Sequence, residues 1–198
     1  PPAMLFGSEG LNISTSAMVY DYAGSTNQVT VNGISIDKTK PVTTAALSGT
    51  LVNGWYNTAV AITLGSLDSL SGADQINYRL EQAGVIIGSG IYSAPVSASA
   101  DRQYTLYYYS ADKAGNAEAE KFTVFKIDRT LPQVSCTLIP AANGSAWNNT
   151  AVQIVFSGTD TLSGVVECSS KTISTEGLAQ AVTGWCRDTA GNIAYSTA

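Results

Sequence analysis

Four short motifs recur in the same order along the chain, and this tandem repeat constrains the fold more than any other feature. The first copies are "IDKTKP" at 36–41, "NGWYNTAVAITL" at 53–64, "DSLSG" at 68–72 and "DKAGN" at 112–116. The second copies read "IDRTLP", "GSAWNNTAVQIVF", "DTLSG" and "DTAGN". In the second copy the last motif follows the third more closely, so that copy is shortened. The chain is therefore predicted to contain small repeated domains, since one larger domain would not repeat its motifs in order.

The repeat also predicts where each unit begins and ends. Residues 1–37 are interpreted as the C-terminal part of a preceding repeat, because "EGLNISTSAMVYDYAG" resembles "EGLAQAVTGWCRDTAG" of the last copy. Residues 38–128 are predicted to be a complete domain. Residues 129–198 are predicted to be a shortened domain without a clear final strand. Two explanations stay open for the incomplete ends: the segment was cut there, or the ends are assembly elements.

The hydrophobic pattern has a period of two and predicts strands throughout. "AVAITL", "QINYRL", "YTLYYYSA" and "KFTVFKI" are short runs of β-branched and aromatic residues, separated by Gly, Asn, Asp and Pro. No stretch shows a convincing amphipathic helix. Several short strands in each repeat predict an all-β fold of tandem antiparallel β-sandwich domains of the immunoglobulin type. The short "IDxTxP" linkers favour a semi-rigid row of such domains over a flexible string.

The "DKAGN" motif lies between two predicted strands, where a hairpin loop is expected. Asp112 can accept hydrogen bonds from the turn, Gly115 can adopt a positive φ, and Asn116 tolerates the left-handed region. A structural turn is the preferred interpretation, and a Ca²⁺ site is the alternative. Oxygen-rich loops near domain junctions suit Ca²⁺, and the weak candidate ligands are Asp68, Asp112, Asp128 and Asp160. Ca²⁺ is the one candidate cofactor.

Composition argues against several function classes. Histidine is absent, which removes the commonest general base and the usual zinc ligand, so the chain is not expected to be an enzyme. The net charge of −5 leaves no basic surface for nucleic acid. The longest apolar runs are a few residues, so no membrane insertion is expected. Charged residues make up only 13%, a composition common in secreted β-proteins.

Aromatic residues provide the remaining candidate contacts. Trp55 and Trp147 occupy the same position in the two copies and are interpreted mainly as packing residues. Tyr107 and Tyr109 share one face of a predicted strand, opposite Tyr104. The candidate ligand or assembly contacts are Trp55, Trp147, Tyr107 and Tyr109. A surface glycan is a further candidate partner.

The motifs quoted above resemble the bacterial immunoglobulin-like (Big-type) tandem repeats of large surface and secreted proteins. The resemblance is good from Ile36 onwards and thin before it. In similar repeats a Cys after "LSGV" and another before "RDTAGN" often occur together, which implies a disulfide between Cys168 and Cys186. A disulfide implies an extracellular location, on the bacterial surface or secreted. Cys136 is left over and is interpreted as a small buried apolar side chain, with an intermolecular bridge as the alternative.

Three functions are consistent with this sequence. The first is a non-enzymatic structural module, a semi-rigid row of domains in an extracellular surface protein or fibre. The second is a filament subunit that assembles by β-strand donation between its incomplete ends. The third is an adhesin or carbohydrate-binding module. The expected partners are neighbouring copies of the chain or further repeats of a longer parent protein.

Overall fold

A computed structural model describes residues 5–198, so residues 1–4 of the predicted first segment lie outside it. The described chain consists of strands, turns and loops. It contains no helix long and apolar enough to cross a membrane. The strands are β1 (Gly10–Tyr20), β2 (Thr26–Ile36), β3 (Val42–Ser48), β4 (Leu51–Val52), β5 (Trp55–Tyr56), β6 (Val60–Leu67), β7 (Ala73–Gln82), β8 (Val85–Ile91), β9 (Val96–Ala98), β10 (Arg102–Asp112), β11 (Lys121–Ile127), β12 (Gln133–Ile139), β13 (Val152–Thr159), β14 (Val165–Cys168), β15 (Ser170–Ile173), β16 (Thr183–Asp188) and β17 (Ile193–Thr197).

Strands β1 and β2 form an antiparallel hairpin. The pairing is regular from Thr15↔Val31 to the turn, but its register is irregular at Ile13↔Ile34 and Gly10↔Ile36. The hairpin therefore holds the end of β2 less regularly than its beginning.

The second repeat is an antiparallel β-sandwich of two sheets. One has the order β3-β6-β9, and the other has the order β4-β5-β11-β10-β7-β8. All of its pairs are antiparallel except β5 with β11, which are parallel. The all-β fold and the antiparallel β-sandwich predicted from the sequence are confirmed.

The core of the second repeat lies between these sheets. Burial alternates along β6 and β10, so that every second residue of each strand points inward. The fully buried side chains include those of Ile62, Leu106 and Ile127. The alternation in the sequence is thus the alternation between core and outer face.

The third repeat has the same layers with fewer strands. One sheet has the order β12-β13-β15 and the other β14-β16-β17. Its buried core is smaller and centres on Ile154, Phe156 and Cys186. Gly184 is required here, because a Cβ at that position would lie 2.2 Å from the Phe156 ring.

A disulfide joins Cys168 of β14 to Cys186 of β16, which are direct partners across the two strands. The predicted pairing is confirmed. Cys136 is a half-buried free thiol that packs against the core of the third repeat.

Candidate functional site at the domain junctions

The two "DxAGN" loops have the same hydrogen bonds. Asp112 Oδ1 accepts from the backbone N–H of Asn116 at 2.8 Å, and Asp112 Oδ2 accepts from the Asn116 side chain at 2.8 Å. Asp188 and Asn192 repeat both contacts, at 2.8 and 2.7 Å. Gly115 has a φ of +92°, as expected for this turn. The predicted structural turn is what the loop forms.

The Asn side chain of this motif has a further role that sequence reasoning missed. Asn116 does not adopt a positive φ. Its Nδ2 instead donates to the backbone carbonyl of Asp37 at 3.1 Å, and Asn192 donates in the same way to Asp128 at 3.1 Å. The last loop of each repeat therefore holds the linker that leads into that repeat.

The linker aspartates connect to a second loop. Asp37 Oδ2 accepts from Ser71 N–H of the "DSLSG" loop at 2.8 Å, while its Oδ1 accepts from Thr39 N–H at 3.0 Å. Asp128 accepts in the same way from Ser163 N–H at 3.0 Å and Thr130 N–H at 3.1 Å.

The "DSLSG" loop is itself organised by its first residue. Asp68 Oδ1 accepts from the N–H groups of Leu70 and Gly72, at 3.2 and 2.8 Å. In the third repeat Asp160 Oδ1 accepts from two N–H groups at 3.0 and 2.9 Å. These bonds use Oδ1 of each residue and leave Oδ2 out of the loop's own hydrogen bonds.

These three loops bring aspartates together in two equivalent triads, one at the start of each sandwich. In each triad, one carboxylate oxygen per residue lies within 4.8 Å of the other two. The first triad is Asp37, Asp68 and Asp112, and the second is Asp128, Asp160 and Asp188.

Each triad concentrates negative charge, with Asp112, Asp128 and Asp188 buried and the other three aspartates half-buried. Asp128 is 0% exposed and Asp188 is 1% exposed. Burial raises the pKa of Asp188; the Asn192 hydrogen bonds oppose this, and the nearby carboxylates of Asp128 and Asp160 raise it further. In the first triad, Asp68 Oδ2 is a buried oxygen without a hydrogen-bond partner.

Such a donor set suits a hard cation. Ca²⁺ prefers carboxylate and carbonyl oxygens, and three carboxylates supply part of the six to eight oxygens it takes. The four candidate ligands named from the sequence divide between the two triads. Sequence reasoning missed Asp37 and Asp188 as members. The repeat itself carried the signal, because each residue is the copy of a named candidate.

The second and third repeats also contact each other directly. Asn53 Nδ2 donates to the carbonyl of Thr189 at 3.1 Å, and Asn57 Nδ2 donates to the carbonyl of Ala190 at 3.1 Å. Both acceptors belong to the "DTAGN" loop. At the first junction, Lys38 Nζ donates to the carbonyl of Gly7 at 2.7 Å.

The aromatic candidates are not brought together. Trp55 is half-buried under Lys126, whose Nζ lies 5.1 Å from the ring centre, whereas Trp147 is 56% exposed and lies outside the strands.

The two tyrosine candidates lie on the outer face of β10. The Arg79 guanidinium lies 4.1 Å above the Tyr107 ring. Tyr109 lines a small cleft of about 210 Å³ together with Arg79 and Glu120. A glycan-binding role for these side chains stays a prediction.

No family model matches the sequence, and no curated protein matches it. Among solved structures, the chain is similar to one reported for host cell surface retention of a 1.5-MDa bacterial ice-binding adhesin. The identity is 14% and the TM-score is 0.43, over 93% of this chain and 71% of that one.

Proposed function

We propose that this chain is a non-enzymatic structural segment of a bacterial extracellular surface protein, a semi-rigid row of immunoglobulin-like β-sandwich repeats. The observation that carries the proposal is the duplicated junction. At both linkers the same aspartate is bound by the same two loops of the following repeat. Domains within one chain move relative to each other unless contacts prevent it. A row of repeats with a fixed orientation between neighbours requires such contacts at every linker, and both linkers of this chain have them.

Two further observations support the surface location. The disulfide of the third repeat is compatible with an oxidising compartment, where such bonds persist. The low share of charged residues is common in secreted β-proteins. The immunoglobulin-like assignment rests on the motifs that the two repeats share.

The rigidity of the row is tested by measuring distances between the second and third repeats. Spin labels at Ser89→Cys and Lys171→Cys, in a Cys136→Ser background, would report the inter-repeat distance by pulsed electron paramagnetic resonance. We expect one narrow distance distribution. A distribution as broad as that of a flexible linker would contradict the proposal.

We further propose that each junction binds one Ca²⁺ ion, which would neutralise the triad and stiffen the row. The two triads are equivalent in position, in residue type and in their hydrogen bonds. Holding three carboxylates this close, with one of them buried in the first triad and two in the second, is unfavourable unless the charge is compensated. The unpartnered Asp68 Oδ2 is available for a cation.

Calcium binding is tested by calorimetric titration and by thermal unfolding with CaCl₂ or with EDTA. We expect two ions for each chain and a rise in the unfolding temperature with CaCl₂. Asp68→Asn and Asp160→Asn keep the Oδ1 acceptor but remove charge, so each should abolish one binding event. The control is Asp74→Asn, at an exposed residue outside the triads. An unfolding temperature that is the same in CaCl₂ and EDTA would contradict this proposal but leave the row intact.

A further inference from the structure

The outer face of the larger sheet in the second repeat carries aromatic side chains that the core does not use. Burial alternates along β10, so Tyr107 and Tyr109 point away from the core. Phe122 of β11, which lies opposite Tyr107, is 66% exposed. Aromatic rings that gather on a surface without a packing role are typical of contact with another molecule.

The third repeat has an aromatic residue at one of these outward positions. By the "DxAGN" motifs, Trp185 is the copy of Tyr109. Burial alternates along β16 as it does along β10, so Trp185 also faces outward, and its partner on β17 is Tyr195, which is 69% exposed. The position of Tyr107, in contrast, is Thr183 in the third repeat. An outward aromatic ring at the position of Tyr109 is therefore what both sandwiches share.

Tyr109 lines a cleft in the outer face of the second repeat. The cleft has a volume of about 210 Å³, and its polar lining is formed by Asn77, Arg79 and Glu120. Pockets for drug-sized ligands have volumes of about 300–1,000 Å³. The cleft is smaller than these, so it suits a single small ring with polar groups around it.

The Arg79 side chain is held in a fixed position beside this cleft. Its Nη1 lies 2.6 Å from Glu81 Oε1, and its Nη2 lies 3.4 Å from Glu120 Oε2. The guanidinium also lies 4.1 Å above the centre of the Tyr107 ring. These contacts fix the group before a ligand arrives, which lowers the entropic cost of binding. The pair with Glu120 uses Oε2 and leaves Oε1 out of it.

These groups match the chemistry of a neutral sugar. Hydroxyl groups both donate and accept hydrogen bonds, so they can pair with the Arg79 guanidinium, the Asn77 amide and the Glu120 carboxylate. The C–H groups on one face of a pyranose ring are weakly positive and pack on the negative face of an aromatic ring such as Tyr109. One guanidinium stands against the two carboxylates of Glu81 and Glu120, so the surroundings of the cleft are net negative. An anionic sugar would be repelled there.

We propose that the cleft of the second repeat binds a neutral pyranose ring of a glycan. The ring packs on Tyr109, and its hydroxyl groups bond to Arg79, Asn77 and Glu120. A contact with one sugar ring is weak, and copies of the protein displayed together on a surface gain affinity through multivalency. This proposal goes beyond a structural row of repeats, because it gives one repeat of the row a ligand of its own.

The test combines an array of immobilised glycans with a titration of the isotope-labelled chain followed by nuclear magnetic resonance. The array carries chains that end in neutral sugars and matched chains that end in sialic or uronic acids. The titration uses the methyl glycosides of glucose, galactose, mannose, fucose and N-acetylglucosamine. We expect binding to neutral chain ends, and amide shifts around Asn77 and Tyr109 with at least one of the glycosides.

Two variants identify the groups that bind. Tyr109→Ala removes the ring and Glu120→Ala removes an acceptor, and each should weaken binding by at least about tenfold, the loss expected for a hydrogen bond to a charged group or an equivalent contact. Tyr109→Phe should bind more tightly than Tyr109→Ala. Glu120 is 46% exposed and only loosely paired, so Glu120→Ala tests the site even if Tyr109→Ala is poorly folded. The control is Gln103→Ala, on the same outer face but outside the cleft.

Three results would overturn the proposal. The first is the absence of binding to every neutral glycan and glycoside, and the second is binding to acidic chain ends alone. The third is self-association of the chain that Tyr109→Ala abolishes, without any glycoside shift, because the face would then be a contact between copies. A chain that binds no sugar but has a narrow inter-repeat distance would overturn this proposal and leave the structural row intact.

Discussion

Asn116 and Asn192 each connect parts of the chain that are far apart in sequence. Each side chain donates both to the aspartate that begins its own turn and to the carbonyl of the linker before its repeat. In the first copy of the motif Ser25 stands at this position, and its backbone N–H and that of Ala23 donate to Asp21 Oδ1.

Asn116→Ala should lower the free energy of unfolding of the second repeat by about 2 kcal/mol, because the half-buried Asp37 carbonyl and the buried Asp112 carboxylate each lose a donor. Asn192→Ala should have the same effect on the third repeat. Urea unfolding measures both. The matched control is Asn27→Ala, at an exposed position of β2. An equal effect of all three variants would contradict the role given to the motif.

Glu118 predicts a pH dependence for the second repeat. Its Oε1 accepts from Thr43 N–H at 3.0 Å and Ser110 N–H at 3.2 Å, and its Oε2 lies 2.7 Å from Lys121 Nζ. Burial opposes ionisation, but the hydrogen bonds from Lys121 and Thr43 prevail and lower the pKa of Glu118 below its ordinary value of 4.5. The carboxylate therefore stabilises the fold above pH 4.5, and this is lost as the pH falls through the lowered pKa.

Glu118→Gln should lower the free energy of unfolding at pH 7 by about 2 kcal/mol, the contribution of a charge-assisted hydrogen bond. It should also weaken the decline in stability below pH 4.5. Glu120→Gln is the control, because that side chain is 46% exposed and only loosely paired with Arg79. Parallel pH profiles for Glu118→Gln and the unaltered chain would be evidence against this interpretation.

At the scale of single elements, the disulfide crosslinks two strands of the β14-β16-β17 sheet, which has fewer strands than the matching sheet of the second repeat. The third repeat has no equivalent of the β8 edge strand, and its buried core is small. Cys168 and Cys186 join β14 to β16, the two strands that remain at this position. The crosslink therefore offsets missing core in the shortened repeat.

Replacing Cys168 and Cys186 with Ala should lower the free energy of unfolding of the third repeat by about 3 kcal/mol, because a crosslink across 18 residues restricts the unfolded chain. The second repeat should unfold as before. Thermal unfolding and limited proteolysis measure the change, with Cys136→Ala as the control. Resistance of the third repeat to proteolysis after the double replacement would contradict the prediction.

The local hydrophobic pattern predicts the strands well. It does not predict which residues of distant strands and loops come into contact. The period-two alternation in "YTLYYYSA" predicts which residues of β10 are buried, because neighbouring residues of a strand face opposite sides. Gly184 was not predicted, because its need arises only when Phe156 arrives from the other sheet. The same holds for the triads: the loops of Asp37, Asp68 and Asp112 meet only after the sheets have packed. Comparing the two repeats position by position is the step that would have found all six aspartates.

At the scale of the whole molecule, the direct contact between the second and third repeats should set their angle. Replacing Asn53 with Gly, which suits the positive φ of +48° at that position, and Asn57 with Ala removes the two hydrogen bonds to the "DTAGN" loop. The inter-repeat distance distribution should then broaden, while the unfolding temperature of each repeat stays nearly unchanged. An unchanged distribution would show that the linker and its aspartate fix the angle by themselves.

The distance in sequence between a linker and the loop that holds it has a consequence for how the protein matures. Asn116 comes 79 residues after Asp37, and Asn192 comes 64 residues after Asp128. Ribosomes make the chain from its N-terminus, so each junction stays loose until the closing loop of the next repeat has been synthesised. The junctions of the nascent chain therefore become fixed in order from the N-terminus, and the most recently synthesised junction is the one that still bends freely.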